Sequence, residues 1–471
     1  MRIPVLTVGP AASVTHRAAA WLHEANAGSP DSEGAAALPA GIEPDWEFPP
    51  LPLGEHAHAA QSILGQRSKS LQWKIAELEN LQTRYLWRGF IEAGGGGVPE
   101  SICGVQLFSD PCLQTTCAVK PACAQHAARG DVSMVHRALR RDLFDQHGLH
   151  GEGVLLAIVD RGIDGDWLDR HTSRSGVVNR GDSWSWRNAA SAAGGYPFGH
   201  GTRSAFNALQ MAPRATILDC PILSFDRCTL QWQNRLGAAF RAYQHLSAHF
   251  VASRLSGTAA AMVVNNSWYV MSDDFPAGHC GRYVDNPRHP FNQKVIELAR
   301  LGADIVFAAG NCGCECADPV CPKNTTLPIM GANALRHVLT VAACDLGRLR
   351  CGFSSRGPGI RAMARNKPDL AGYSHFLSAN YLELGDVLCK PDSGTSTACP
   401  IVSGCIAALR TKLSPQQMAP RELFGTLRKS ADRIGKRWNP EYGQGIVNPL
   451  AAARRLGLIR NFRRSGHGHR V

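Results

Sequence analysis

Residues 154–160 read Val154-Leu155-Leu156-Ala157-Ile158-Val159-Asp160, an unbroken apolar run closed by an acid and followed by Arg161-Gly162. A run this short, apolar at consecutive positions and bounded by a turn, predicts a strand buried on both faces. Runs of the same texture recur at 261–268 (AMVVNNSW), 303–309 (ADIVFAA) and 338–343 (VLTVAA). Helical stretches, Thr229–Phe250 and Phe291–Gly302 among them, separate the runs. Strands that alternate with helices and have no polar face imply an α/β domain, a three-layer sandwich with a mainly parallel sheet covered on both sides. That domain is expected over residues 135–453.

Open parallel sheets gather their chemistry beyond the C-terminal strand ends. Polar residues fall there repeatedly: Asp160 after the first run, Asn311 after the run at 303–309, and His200 in the turn Gly199-His200-Gly201-Thr202. Ser396 stands in Gly394-Thr395-Ser396-Thr397-Ala398-Cys399-Pro400, ahead of a small-residue helical run that reaches Leu413. Asp, His and Ser in that chain order, each on a glycine-flanked turn, match one known order of a catalytic triad. The order Ser, acid, His and the G-x-S-x-G elbow of the α/β-hydrolases are both absent, since Ser396 sits in G-x-S-x-A.

The chain resembles the subtilisin-like serine peptidases. The blocks that carry the resemblance are AIVDRGID (157–164), GHGT (199–202), VVNNSW (263–268), FAAGN (307–311), FSSRGPG (353–359) with KPDL (367–370), and SGTSTACP (393–400), in the family's order. The resemblance implies that Ser396 attacks a peptide carbonyl and that His200 shuttles the proton. Asp160 would orient His200 and stabilise its charged form. Asn311 and the Ser396 N–H would bind the oxyanion. Ser267, Trp268 and Tyr269 on one side, with Ala308, Ala309 and Gly310 on the other, would line the pocket for the residue before the cut. The implied activity is that of a serine endopeptidase acting on protein or peptide substrates with no cofactor. A catalytically silent binding protein on the same fold is the alternative. No acidic loop matches a calcium or other metal site.

Two positions depart from the family's pattern. Arg161 follows the Asp where Ser or Thr is usual; turned inward it would compete with His200 for the carboxylate, and turned outward it changes little. Tyr269 stands where the family has a glycine that pairs with substrate backbone. Its ring either narrows the pocket or forms an aromatic wall, and Trp268 and Tyr269 are alternatively buried.

Sixteen cysteines include Cys112, Cys117 and Cys123 ahead of the domain and Cys312, Cys314, Cys316 and Cys321 just after Asn311. The second cluster reads C-x-C-x-C-x₄-C. It is compatible with a disulfide from Cys312 or Cys314 to Cys321, with a metal, or with reduced thiols.

The N-terminal residues 1–61, rich in Ala, Pro and Gly, read as a flexible leader. Residues 62–134 read as an extension in which Leu71, Ile75, Leu78, Leu81 and Tyr85 suggest an amphipathic helix over Ser62–Ala93, followed by the Cys-bearing segment. The N-terminal 130 residues are also readable as an inhibitory prosegment, although no family pattern marks them as one. The net charge of +12 is uneven. Residues 1–150 carry a net −3, 151–453 carry +9, and the tail 454–471 carries +6 with no acid. Neither basic share forms a Lys/Arg stripe interleaved with aromatics, so a nucleic-acid partner is not expected. No apolar run is long enough to span a bilayer, and Met1 to Ser13 lacks the pattern of a secretory signal. A cytoplasmic location is therefore expected, with export by an unconventional route as the alternative.

Overall fold

The computed structural model describes residues 1–10, 41–45, 47–48, 51–53, 84–94, 97–114, 128–185, 191–223, 234–313, 315, 321, 328–385 and 390–460. Its larger unit is built on a six-stranded sheet of β7 (Val154–Asp160), β8 (Thr216–Pro221), β9 (Ala261–Asn266), β10 (Asp304–Ala308), β11 (Leu339–Cys344) and β12 (Leu370–Tyr373), in the order β12-β11-β10-β9-β7-β8. Every pairing in it is parallel. Residues of β7, β9, β10, β11 and β12 are buried without alternation, which is why these segments read as continuous apolar runs.

Ten helices cover and flank this sheet among the described residues: α1 (Val132–Leu139), α2 (Arg141–Gln146), α3 (Gly165–Thr172), α4 (His200–Leu209), α5 (Leu236–Leu255), α6 (Pro290–Arg300), α7 (Ala379–Leu384), α8 (Thr395–Arg410), α9 (Pro420–Ser430) and α10 (Pro449–Arg455). Consecutive residues of β9 show that two layers of helix are present. Asn265 takes a hydrogen bond from Ser403 of α8, and Asn266 takes one from Tyr243 of α5. Neighbouring strand residues point to opposite faces, so α5 and α8 lie on opposite sides of the sheet. Arg410, at the end of α8, forks onto Asp304 of β10 at 2.6 and 2.8 Å and locks the buried helix to the sheet.

The N-terminal region differs from expectation. Arg2–Pro10 is not a flexible leader but strand β1, and Arg84–Glu92, expected to end an amphipathic helix, is strand β4. With β2 (Glu43–Pro44), β3 (Leu51–Leu53), β5 (Ser101–Ile102) and β6 (Val105–Ser109) they form an antiparallel sheet in the order β2-β4-β1-β6-β5, with β3 also on β4. The nine-residue ladder between β1 and β4 accounts for the outcome, because it satisfies in both strands the backbone groups that a helix would satisfy locally. The expected helix positions Leu71 to Leu81 lie outside the described residues, as do Cys117, Cys123 and most of the basic tail.

This second sheet packs directly on the first unit. Leu6, Phe48, Leu51, Leu86, Phe108 and Leu113 belong to the same continuous core as the parallel sheet. Arg88 of β4 is fully buried, and its Nε donates to Asp110 at 2.6 Å, while Asp45 takes another of its donors. The other oxygen of Asp110 accepts from the Gly237 N–H at 2.7 Å, in the first turn of α5, and the Asp110 carbonyl accepts from Arg235. One carboxylate thus neutralises a buried guanidinium and caps a twenty-residue helix. Asp110→Ala removes both roles and leaves Arg88 a partner short in a dry site. A loss of about 3–5 kcal/mol in urea unfolding is expected, and a change under about 1 kcal/mol would show that the joint carries little.

Candidate active site

The sharp ends of β7, β10 and the starts of α4 and α8 converge at one place. Asp160, the last residue of β7, has no solvent exposure. His200 Nδ1–H donates to its two oxygens at 2.7 and 2.9 Å, the Arg161 N–H reaches Oδ1 at 2.8 Å, and Ser204 Oγ donates to Oδ2 at 3.1 Å. Ser204, one turn along α4 from His200, was not singled out from the sequence.

His200 opens α4 and is buried. The next residue must be glycine, since a Cβ on Gly201 would meet the Gly162 carbonyl at 2.2 Å. That close approach presses the start of α4 onto the turn that follows Asp160, so the His and the acid are fixed together by backbone as well as by hydrogen bonds.

Ser396 is the second residue of α8 and is reached through Gly394, whose φ of +104° lies in the region that favours glycine. A Cβ on Gly394 would stand 2.8 Å from Ser396 Oγ and 3.1 Å from Asn311 Nδ2, so these two groups flank one small space. The orientation of Asn311 is fixed by its other end: Oδ1 accepts from the Thr395 N–H and the Thr395 hydroxyl, each at 2.9 Å. Thr395 Oγ1 in turn accepts from the Gly310 N–H at 3.1 Å. Thr395 is therefore the positioning residue behind Asn311, visible in sequence only as a neighbour of Ser396. No hydrogen bond joins His200 to Ser396 in this conformation, a looseness common before substrate binds.

Four of the six residues expected to line the pocket fall into three groups. Trp268 is wholly buried and packs against Phe291 and Phe307, so its side chain belongs to the core. Ser267 Oγ donates to the Ser396 carbonyl at 3.2 Å. Tyr269 and Ala309 line a narrow cavity with Cys312, Pro328, Ile329, Met330, Asn333 and Ser355.

Of the alternatives for the cysteines after Asn311, the disulfide forms, between Cys312 and Cys321. Cys314 and Cys316 lie outside the described residues, and no cluster of His, Cys, Asp or Glu suited to a metal occurs among the described ones. Cys112 is also disulfide-bonded, whereas Cys399 and Cys405 are buried free thiols whose pKa values burial pushes above the ordinary range.

The model of the subtilase family matches residues 151–445. The chain belongs to that family. Among characterised relatives, this subtilase is 26% identical over 325 residues to the human membrane-bound transcription factor site-1 protease, across 68% of this chain. It is 30% identical over 156 residues, 32% of this chain, to mycosin-4 of Mycobacterium tuberculosis. The matched region spans only 26% and 34% of those two proteins. Among solved structures, the serine protease of Aeromonas sobria matches at 19% identity and a TM-score of 0.46, over 67% of this chain and 62% of that one. MycP1 from Mycobacterium smegmatis matches at 17% identity and a TM-score of 0.44, over 78% and 94%.

A second carboxyl lies one strand from Asp160. Asp219 of β8 is fully buried, and its Oδ2 accepts from the N–H groups of Ile163 and Gly194. Its Oδ1 has no partner among the described residues. Burial raises its pKa from 3.8 to about 7 against those two hydrogen bonds, and the charge of Asp160 adds to the rise. Between those two pH values the folded chain keeps a proton that the unfolded chain has released, so stability falls as pH rises through the window and levels off above it. Asp219→Asn should remove that slope. Urea midpoints measured from pH 4 to pH 8 would show a flatter curve for the variant, and parallel curves would disprove the assignment.

Proposed function

We propose that this subtilase is a serine endopeptidase. Ser396 attacks the peptide carbonyl carbon, and His200 Nε2 takes the hydroxyl proton and then returns it to the leaving amine. Asp160 holds His200 with Nδ1 as the donor, which leaves Nε2 to act as the base, and stabilises the imidazolium while the acyl-enzyme forms. Asn311 Nδ2 and the Ser396 N–H at the start of α8 bind the oxyanion. The observation that carries this reading is the buried His200–Asp160 pair, at 2.7 and 2.9 Å, beside an oriented Asn311 and a serine at a helix N-terminus.

The substrate strand has a natural place. Gln114 and Tyr269 exchange both backbone hydrogen bonds, 2.8 Å from the Gln114 N–H to the Tyr269 carbonyl and 3.0 Å in return. A peptide substrate would pair with the same edge, so the segment before Gln114 supports the reading of the N-terminal region as an inhibitory prosegment that occupies the cleft.

A fluorophosphonate probe should label folded wild type at Ser396 and fail to label Ser396→Ala; absence of wild-type labelling would favour the silent binding protein. Wild type should also lose its N-terminal region by self-cleavage shortly after Gln114, while Ser396→Ala stays one chain by mass spectrometry. Asn311→Ala should lower kcat by about 10²–10³ with little change in KM. An equal rise in KM with kcat intact would remove Asn311 from the oxyanion role.

A further inference from the structure

We propose that Tyr269 closes the pocket for the residue before the cut and restricts that residue to small side chains, no larger than threonine. The inference rests on the peptidase reading above and goes on to name its substrate class. Register places the pocket. A peptide paired with Tyr269 as Gln114 is runs antiparallel to the chain leaving β9, so its residue two positions further on stands opposite Ser267. Ser267 is hydrogen-bonded to the carbonyl of Ser396, so that substrate residue is the one beside the nucleophile. The space for its side chain lies between the 267–270 segment and the 309–312 turn.

That space is nearly full. The cavity lined by Tyr269, Ala309, Cys312, Met330 and Asn333 measures about 10 Å³, room for roughly one water. Tyr269 itself is only 8% exposed, and its ring lies against Gly310, 3.6 Å from where a Cβ on that glycine would stand. It packs with the Cys312–Cys321 disulfide, and its hydroxyl points at Cys321 Sγ from 4.0 Å. The disulfide therefore sets the ring where a flexible loop would let it swing out.

The two walls are also tied to one another. Asn333 Nδ2 donates to the Trp268 carbonyl at 3.2 Å and to the Ala308 carbonyl at 2.8 Å, bridging the ends of β9 and β10. Neither wall can move apart without breaking a buried hydrogen bond, so the pocket cannot widen cheaply for a larger guest. Among the described residues the lining includes no ionisable side chain to match a charge, and Asn333 Oδ1 is a buried acceptor with no partner. A carboxylate is disfavoured by that oxygen and a Lys or Arg by length.

A peptide library with the residue before the cut varied, cleaved by the full-length protein after self-processing, tests the assignment. Wild type should cleave after Gly, Ala, Ser or Thr at least about tenfold better, in kcat/KM, than after Leu, Phe, Lys or Glu. Tyr269→Gly should raise cleavage after Leu and Phe by about tenfold or more and leave cleavage after Ala within about threefold, while Tyr269→Phe keeps the wild-type profile. Fluorophosphonate labelling of each sample reports whether the catalytic site is formed. Wild type that labels but cleaves after Phe or Leu as well as after Ala overturns the pocket assignment alone, whatever the variants do. Wild type that does not label overturns the peptidase reading beneath it.

Discussion

The Asp160 carboxylate is cut off from water, so every interaction that water would have supplied must come from the protein. Four contacts do so: the Arg161 N–H, both approaches of His200 Nδ1, and Ser204 Oγ. An unpaired carboxylate in such a place would cost several kcal/mol, so the strand that ends at Asp160 and the helix that begins at His200 cannot drift apart. Gly201 against the Gly162 carbonyl enforces the same spacing through backbone. The remaining site is assembled around this fixed pair, with α8 packed on α4 to deliver Ser396 from the other side.

The N-terminal sheet is bound to that frame by a different kind of contact. Hydrophobic burial gives it a share of the common core, but hydrophobic contact is not directional and would not fix its register. The Arg88–Asp110–Gly237 chain does, because each group is buried and has a specific partner. Four residues beyond Asp110, the backbone of Gln114 meets Tyr269 at the cleft edge. The anchor at the start of α5 and the Gln114–Tyr269 bridge are thus only a few residues apart.

The parallel-sheet part of the molecule was readable in the sequence for physical reasons. Strands buried on both faces leave no polar positions, and the residues that end them, Asp160 and Asn311, stand out against that background. Turns that need glycine mark the positions of His200 and Ser396. The N-terminal half had no such contrast. Seven consecutive residues of β4, Tyr85 to Ile91, are buried, so its period of two is hidden, and its partner β1 lies 76 residues earlier by the pairing of Gly9 with Tyr85. Tyr85 fell on the spacing of a helix that the ladder with β1 overrides. Thr395 and Ser204 were missed for another reason: their role depends on which oxygen they meet across the site, and that is a property of the fold, not of their neighbours in the chain.

The loop after Asn311 brings these strands of argument together. An oxyanion donor is effective only if it is already aimed before charge develops, since reorientation during reaction would consume the stabilisation it gives. Asn311 is held from behind by Thr395. The following residue, Cys312, is held by its N–H on Ser355 Oγ at 3.0 Å and by the disulfide to Cys321. The same Ser355 donates its N–H to the Gly310 carbonyl at 2.9 Å, so the residues on both sides of Asn311 are pinned to one serine. The disulfide that packs on Tyr269 is therefore part of the frame that holds Asn311 still. On the proposed function, access for the substrate side chain and stabilisation of the transition state would both be set by one rigid turn, and a sequence change that enlarged the pocket by loosening this turn would do so at the expense of the donor it carries.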